Sequence, residues 1–469
     1  MRAASLFERV WKRHVITTLG EDWALLHIDR HLLHDLSGTA GLYALAQRGL
    51  AVANPELAFA TPDHAVSSAP GRTGLSYAGG AKLYAGLKGL AAQSGIQFFD
   101  LGEPGQGIVH VAAPEQGITL PGSTLVCGDS HTCTNGGLGA LAFGIGSSEV
   151  AHVLATQTLW QQRPKTMRAS FDGRLPAGIS AKDLILYLIG QLGANGAGGY
   201  AVEYAGEAIE ALSIEARMTI CNLSIELGAK IGMVAPDDTT FGWIEGRPFA
   251  PKGDLWARAL ADWRSLSTGA AARFDREHRF DARRITPMMT WGTSPEHVIP
   301  VDGVIPSPDE APDAARREAW RRALDYMGLE PGKPLLGTTV DWVFIGSCTN
   351  SRLSDLRDAA QIVRGRRVAA GVKAWVVPGS ENVKREAQAE GLDRVFLEAG
   401  FEWREPGCSM CVAANGEVVP PARRVISTSN RNFVGRQGPG ARTHLASPQS
   451  AAAAAVTGVV TDIRSFAHG

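Results

Sequence analysis

The chain has 469 residues, which at roughly 150 residues per domain suggests about three domains and leaves ample room for a buried core. Its 46 Lys and Arg against 47 Asp and Glu give a formal charge of -1, with both signs scattered, so no electrostatic footprint for nucleic acid or an anionic membrane is present. Apolar residues at 45% and charged residues at 20% exclude disordered and fibrous classes, and 54 Gly with 25 Pro predict many tight turns.

Residues 1–16 set Arg2, Glu8, Arg9, Lys12 and Arg13 among Leu6, Phe7, Val10 and Trp11, without the uninterrupted apolar run or small-residue cleavage site of a secretory signal. The pattern predicts an amphipathic first helix; a basic transit peptide, very short and containing an acid, is the rival reading. Three strand-like segments, Trp23 to Ile28, Ile108 to Val111 and Thr124 to Cys127, each run into Gly, Asp or His and then into helical patterns. That alternation predicts a parallel sheet with covering helices in a first α/β domain over 1–165.

A second α/β domain is expected over 166–285, where the polar run Met167 to Leu175 precedes Gly-rich turns at 193–199 and 228–232. From Ser265 to Pro334 charge clusters and closely spaced prolines predict a linker of extended and turn segments. Thr338 to Ile345 and Val372 to Val377 then read as strands, and Ala451 to Ala455 as helix, giving a third α/β domain within 286–469. The most apolar stretches, Gly136 to Gly146 and Ala451 to Val460, fall short of the ~20 residues of a spanning helix, so the cytoplasm is the expected compartment.

The cysteines are Cys127, Cys133, Cys221, Cys348, Cys408 and Cys411, too few and too irregular for a secreted disulfide framework. Cys348 lies in Gly346-Ser347-Cys348-Thr349-Asn350 after a strand, and Cys408 and Cys411 form a C-x-x-C turn sixty residues later. Three thiolates can hold three corners of a 4Fe-4S cube and leave the fourth iron without a protein sulfur, open as a Lewis acid. Cys348 is expected where a strand gives way to a helix, whose N-terminus favours a thiolate. On spacing alone a structural zinc knuckle, a thioredoxin-like redox pair and inert buried thiols remain competing readings.

Two further constellations stand out. Cys127-Gly128-Asp129-Ser130-His131-Thr132 follows a predicted strand, where α/β folds place reacting groups, and Asp63-His64 and His110 are read in similar strand-end contexts. Asn222 and Glu226, four apart, would share one face of a helix. Carboxylates beside imidazoles suit proton delivery to a leaving hydroxyl, although each His taken singly is as well explained structurally. In 427–436, STSNRNFVGR, Arg431 and Arg436 could clamp carboxylates, or belong to a solvated loop.

Together GSCTNSR around Cys348, PGCSMC at Cys408 and Cys411, GDSHT at 128–132, ICNLSIE at 220–226 and SNRNFVGR at 429–436 closely resemble the aconitase superfamily. The similarity runs from IDRHLLHD at 28–35 through TWGTSPEHVIPVDG at 290–303 to GRQGPGARTHLASP at 435–448. Two departures appear: Thr61-Pro62-Asp63-His64-Ala65 where the family has TMDHN, and Cys411 followed by VAANGE where it has LxMNPD.

The resemblance implies three α/β/α domains with mainly parallel sheets, with a 4Fe-4S cluster and active site at the domain interface. It implies reversible dehydration and rehydration of a 2-hydroxy di- or tricarboxylic acid. The expected substrate is isopropylmalate on the route to leucine, with homocitrate or another substituted malate as the alternative and a cluster-bearing sensor without turnover as a rival of another class. By resemblance Cys348, Cys408 and Cys411 hold the cluster, while Asp63-His64, His110 with Asp129, and His131 with Glu226 are the proton-handling pairs. Arg431, Arg436, Asn430, Asn222 and Ser130 fall to substrate or cluster. The swivelling domain with the Ser that removes the carbon-bound proton has no match, since Gly146-Ser147-Ser148-Glu149 lacks the Arg of the family's loop. A separate small subunit is therefore the expected partner, with no nucleic acid or membrane involved.

Overall fold

The computed structural model describes residues 4–466. The chain divides into two compact units. The first takes the chain up to Val66, then Thr73–Arg174 and Ala197–Ala282; the second takes Ser67–Arg72, Leu175–Gly196 and the chain from Arg283 onward.

The first unit holds a five-stranded parallel sheet in the order Gln97–Phe98, Ala58–Ala60, Arg30–Leu33, Thr124–Cys127, Leu141–Gly144. The chain begins this sheet in the middle, winds outward to one edge, then returns to the centre and winds to the other. The order therefore reverses between Arg30–Leu33 and Thr124–Cys127, and the carboxyl ends of those two strands deliver His34-Asp35 and Gly128-Asp129. Such a reversal opens a crevice where doubly wound sheets place their reacting groups. Helices Ser37–Gln47 and Ser147–Thr156 pack together beside it, and Gly128 is needed there because a Cβ would run into the Ser37 hydroxyl.

A four-stranded parallel sheet follows in the order Ile231–Val234, Tyr200–Ala205, Lys165–Asp172, Arg276–Asp281. Strands Val15–Leu19, Trp23–His27 and Thr158–Gln162 form a small antiparallel sheet. Helix Leu6–His14 opens with a reciprocal cap between Ser5 and Glu8 and buries Leu6, Phe7, Val10 and Trp11, one apolar stripe at helical spacing.

The second unit repeats the winding. Its five parallel strands run Glu402–Trp403, Lys373–Val376, Trp342–Ile345, Arg424–Ser427, Arg442–Leu445. The reversal lies between Trp342–Ile345 and Arg424–Ser427, so the two carboxyl ends deliver Gly346-Ser347-Cys348 and Thr428-Ser429-Asn430. Both central strands are buried along their whole length, as parallel strands covered on two faces must be. Helix Pro448–Thr457, which includes the alanine run, packs against helix Leu353–Val363 and strand Trp342–Ile345.

Several expected elements differ. Trp23–His27 is a strand of the antiparallel sheet, not of the parallel one. Ile108 to Val111 is the start of helix Val109–Gln116: the Val109 amide donates to Asp63 Oδ2 at 3.0 Å, a cap supplied from 46 residues away. The region Ser265 to Pro334 is no plain linker, since it contains edge strand Arg276–Asp281, hairpin Met288–Thr290 with Val298–Pro300, and helix Ala314–Met327. Cys348 lies in a turn, and the next helix starts only at Leu353. Asn222 and Glu226 do not share a helix face, because helix Ile214–Asn222 ends at Asn222 and Glu226 sits in the short 3-10 turn Ile225–Leu227. The predicted first helix is observed from Leu6; Arg2 lies outside the described residues. We propose the segments 1–165, 166–285 and 286–469 as three α/β domains.

Candidate active site

In the first unit three imidazoles surround one carboxylate. Asp129 Oδ2 lies 3.2 Å from His64 Nε2, and its Oδ1 lies 3.6 Å from His110 Nε2 and 3.5 Å from His131 Nδ1. The His131 amide also donates to Asp129 Oδ1 at 2.7 Å, because Asp129 caps the 3-10 turn Ser130–Leu138. Desolvation pushes the Asp129 carboxyl up, but the imidazoles of His110, His131 and His64 gathered around it outweigh this and hold the group well below the usual carboxylate range.

Each imidazole has a second partner. His64 Nδ1 makes a very short contact with Asp63 Oδ1. His131 Nε2 lies 3.1 Å from Glu226 Oε1, and His110 Nδ1 lies 3.3 Å from Asn135 Nδ2. Asp63 is wholly buried; burial raises its carboxyl, yet the His64 charge and hydrogen bond bring it below its ordinary value. The set thus contains carboxylate–imidazole pairs at hydrogen-bond range, an arrangement that fixes each ring and passes a proton along.

The expected pairs Asp63-His64, His110 with Asp129, and His131 with Glu226 all come together, and Asp129 links them. His34 and Asp35 join the set without having been singled out. Asp35 takes the amides of His64 and Ala65 at 3.1 and 2.8 Å, and the His34 ring stacks on His64 with centroids 4.3 Å apart. Their signal was a His-Asp pair directly after strand Arg30–Leu33, the same context that marked Asp129. Asn222 donates to Thr134 Oγ1 at 2.7 Å. Ser130 is half-buried, and its carbonyl receives the Cys133 thiol at 3.8 Å.

In the second unit Cys348, Cys408 and Cys411 are buried and free of disulfides. Asn430 connects two of them: its Nδ2 donates to Cys348 Sγ at 3.2 Å and its Oδ1 receives Cys411 Sγ at 3.6 Å. Ser347 Oγ lies 3.0 Å from Cys411 Sγ. Ser347 and Ser409 both hold positive φ, at 83° and 50°, which a non-glycine residue adopts only when its surroundings require it. Arg436 Nε is buried and makes no hydrogen bond among the described residues, while the Arg431 guanidinium lies 5.9 Å from the Phe433 ring centroid.

The altered VAANGE stretch has a structural job. Glu417 accepts from Ser409 Oγ and Ser68 Oγ at 2.6 Å each, from the Ser68 amide at 2.7 Å, and from Arg404 Nη2 at 3.1 Å. Desolvation raises its carboxyl, but the Ser409 and Ser68 hydrogen bonds and the Arg404 charge bring it below its ordinary value. Ser409 stands between Cys408 and Cys411, so Glu417 anchors the C-x-x-C turn. Lys182, likewise not singled out, is fully buried and donates to the Ser429 and Thr428 carbonyls.

The sequence matches the pattern of the Aconitase family (aconitate hydratase) over residues 8–458. The chain belongs to the aconitase family. Within that family it is 64% identical over 465 residues, 99% of this chain and 97% of the relative, to a protein named 3-isopropylmalate dehydratase large subunit 1 of Bradyrhizobium diazoefficiens. It is 55% identical over 467 residues, 98% of this chain and 99% of the relative, to the 3-isopropylmalate dehydratase large subunit of Roseiflexus castenholzii. Membership of the aconitase family implies an iron–sulfur cluster, and the thiol pocket fits one: three buried, unbridged cysteines are gathered at one sheet reversal, two of them tied to the same amide. Among the described residues no helix is long and apolar enough to cross a membrane.

Proposed function

We propose that this chain is the large subunit of a 3-isopropylmalate dehydratase, a hydro-lyase that interconverts 2- and 3-isopropylmalate in leucine biosynthesis and acts in the cytoplasm. The observation that carries the reading is Asn430 bound at once to Cys348 and Cys411, in a chain 64% identical to a protein of that name. Cys348, Cys408 and Cys411 would hold one 4Fe-4S cluster. When bound, it supplies a Lewis-acid iron without a protein sulfur, which polarises a hydroxyl that is otherwise a poor leaving group.

The chain's own residues do the rest. An imidazole of the set around Asp129 delivers a proton to the departing hydroxyl, and Asp63, Asp129 and Glu226 keep the rings oriented and compensate the charge they take up. Arg431 and Arg436 bind substrate carboxylates through planar, bidentate forks, and the unpartnered Nε of Arg436 leaves one such donor available. Asn222 and Ser130 take part at the margin, Asn222 by fixing Thr134. The base that removes the carbon-bound proton belongs to a small subunit carrying the swivelling domain, so this chain alone binds a cluster and turns over little or nothing.

The deciding experiment is anaerobic purification with the small subunit, then assay of 2-isopropylmalate conversion through its unsaturated intermediate. Activity with isopropylmalate only in the presence of both subunits is expected. Turnover of homocitrate or a methylated malate but not isopropylmalate would reassign the substrate, and a loaded complex inert to every substituted malate would leave a cluster-bearing sensor.

A further inference from the structure

The side chain of Lys182 is fully buried in helix Ala181–Leu192, and its Nζ has three acceptors and no carboxylate. It donates to the Ser429 carbonyl at 2.6 Å, the Thr428 carbonyl at 2.9 Å and Asn350 Oδ1 at 3.3 Å. Three acceptors require three hydrogens, which an ammonium has and a neutral amine lacks. Asn350 links the ammonium to an acid, its Nδ2 donating to Asp355 Oδ1 at 2.9 Å. A buried cation facing neutral oxygens is costly unless an anion stands close by. Burial pulls the group down to about 7 even against Asp355, Cys411, Cys348 and Asp183, which act in the opposite direction.

The three acceptors belong to the two loops that leave the central strands: Asn350 follows Cys348, and Thr428 and Ser429 lead into Asn430, which holds Cys348 and Cys411. We propose that Lys182 is a positioning residue of the thiol pocket, clasping these two loops and supplying the positive charge that balances an iron–sulfur cluster, so that it raises the cluster's reduction potential and slows its loss to dioxygen. This inference rests on the cluster assignment made under Proposed function. Asp355, the anion coupled to the same ammonium through Asn350, acts with the opposite sign.

The test uses the full chain, reconstituted anaerobically with iron and sulfide, as wild type, Lys182→Met and Asp355→Asn. Iron and sulfide per chain, the reduction potential and the decay of visible absorption in air are measured. Lys182→Met should lower the reduced-to-oxidised ratio at fixed solution potential about tenfold, a shift of about 59 mV for one electron, and speed decay in air. Asp355→Asn should move the potential the other way. An unchanged potential in fully loaded Lys182→Met overturns the inference, and so does an Asp355→Asn potential that stays put or falls. If Lys182→Met does not fold, the sign of the Asp355→Asn shift decides. Wild type that takes up no iron and sulfide would instead refute the cluster assignment itself.

Discussion

His131 Nε2 and Glu226 Oε1 meet at 3.1 Å across 95 positions of sequence, and both side chains are almost wholly buried. The carboxylate faces the imidazole edge opposite the one that faces Asp129, so His131 is held between two acids. Replacing Glu226 by Gln keeps the shape and removes the charge. In the two-subunit enzyme Glu226→Gln should lower kcat by ~10²-fold, within the range for a general acid–base group, with KM moving less than threefold. Steady-state kinetics on isopropylmalate check this, and an equal loss in KM would assign Glu226 to substrate binding instead.

Asp129 supports three imidazoles at once, so its charge contributes to stability as well as to chemistry. Its folded-state titration lies well below that of an unfolded aspartate, so the contribution is complete above the unfolded pKa of ~3.9 and is lost as pH falls through the folded value. Asp129→Asn should therefore cost about 3 kcal/mol at pH 7, as expected when one member of a buried charged set is removed. The gap from wild type should be flat from pH 5 to 7 and narrow on acidification below ~4. Urea unfolding of both chains at a series of pH values measures it.

Strands Thr124–Cys127, Trp342–Ile345 and Lys373–Val376 and the helix around the alanine run were legible because continuous apolar runs mark buried elements locally, whereas the same reading at Trp23 fell on an antiparallel strand. Asp63-His64, Asp129, Cys348, Cys408 and Cys411 stood out because their chemistry is concentrated in short motifs, and the family resemblance paired the carboxylates with the imidazoles. The helix at Val109 was not legible, since its cap is Asp63, a residue distant in sequence. Lys182 was hidden for a related reason: an Ala-Lys-Asp at a helix start reads as an exposed first turn, and only the packing of two loops onto it reveals its burial. The linker misreading came from prolines, which mark turns equally well between domains and within them.

Cys408 shares the C-x-x-C turn with Cys411, and its loss leaves two thiols. Cys408→Ser should load less than a third of the wild-type iron and sulfide after anaerobic reconstitution and show ~10³-fold lower kcat, because a hydroxyl is a poor ligand for iron in a thiolate-preferring centre. Full chromophore and full activity in this variant would remove Cys408 from the ligand set.

Glu417 ties Ser68, Arg404 and Ser409 together behind that turn, and its side chain is 11% exposed. With Glu417→Gln one acceptor and the charge opposite Arg404 are lost while volume is kept. The apo chain should lose about 2 kcal/mol at pH 7, and cluster decay in air should quicken, because Ser409 is then free to leave its strained backbone conformation. Chemical denaturation and the decay of visible absorption report the two effects separately; a stability loss with unchanged decay would confine Glu417 to the fold.

Ser347 combines a positive φ of 83° with an Oγ 3.0 Å from Cys411 Sγ, and two substitutions separate these roles. Ser347→Ala deletes the hydroxyl and keeps the Cβ that makes this backbone conformation costly. Ser347→Gly deletes the hydroxyl as well but removes that cost, so the Gly variant should be more stable than the Ala variant by about 1 kcal/mol in the apo chain. Both lack the hydrogen bond to sulfur, so both should lose a bound cluster faster than wild type and at similar rates. If the Gly variant retained its cluster as wild type does, the hydroxyl would have no part in holding the thiolate, and Ser347 would matter only for the turn that presents Cys348.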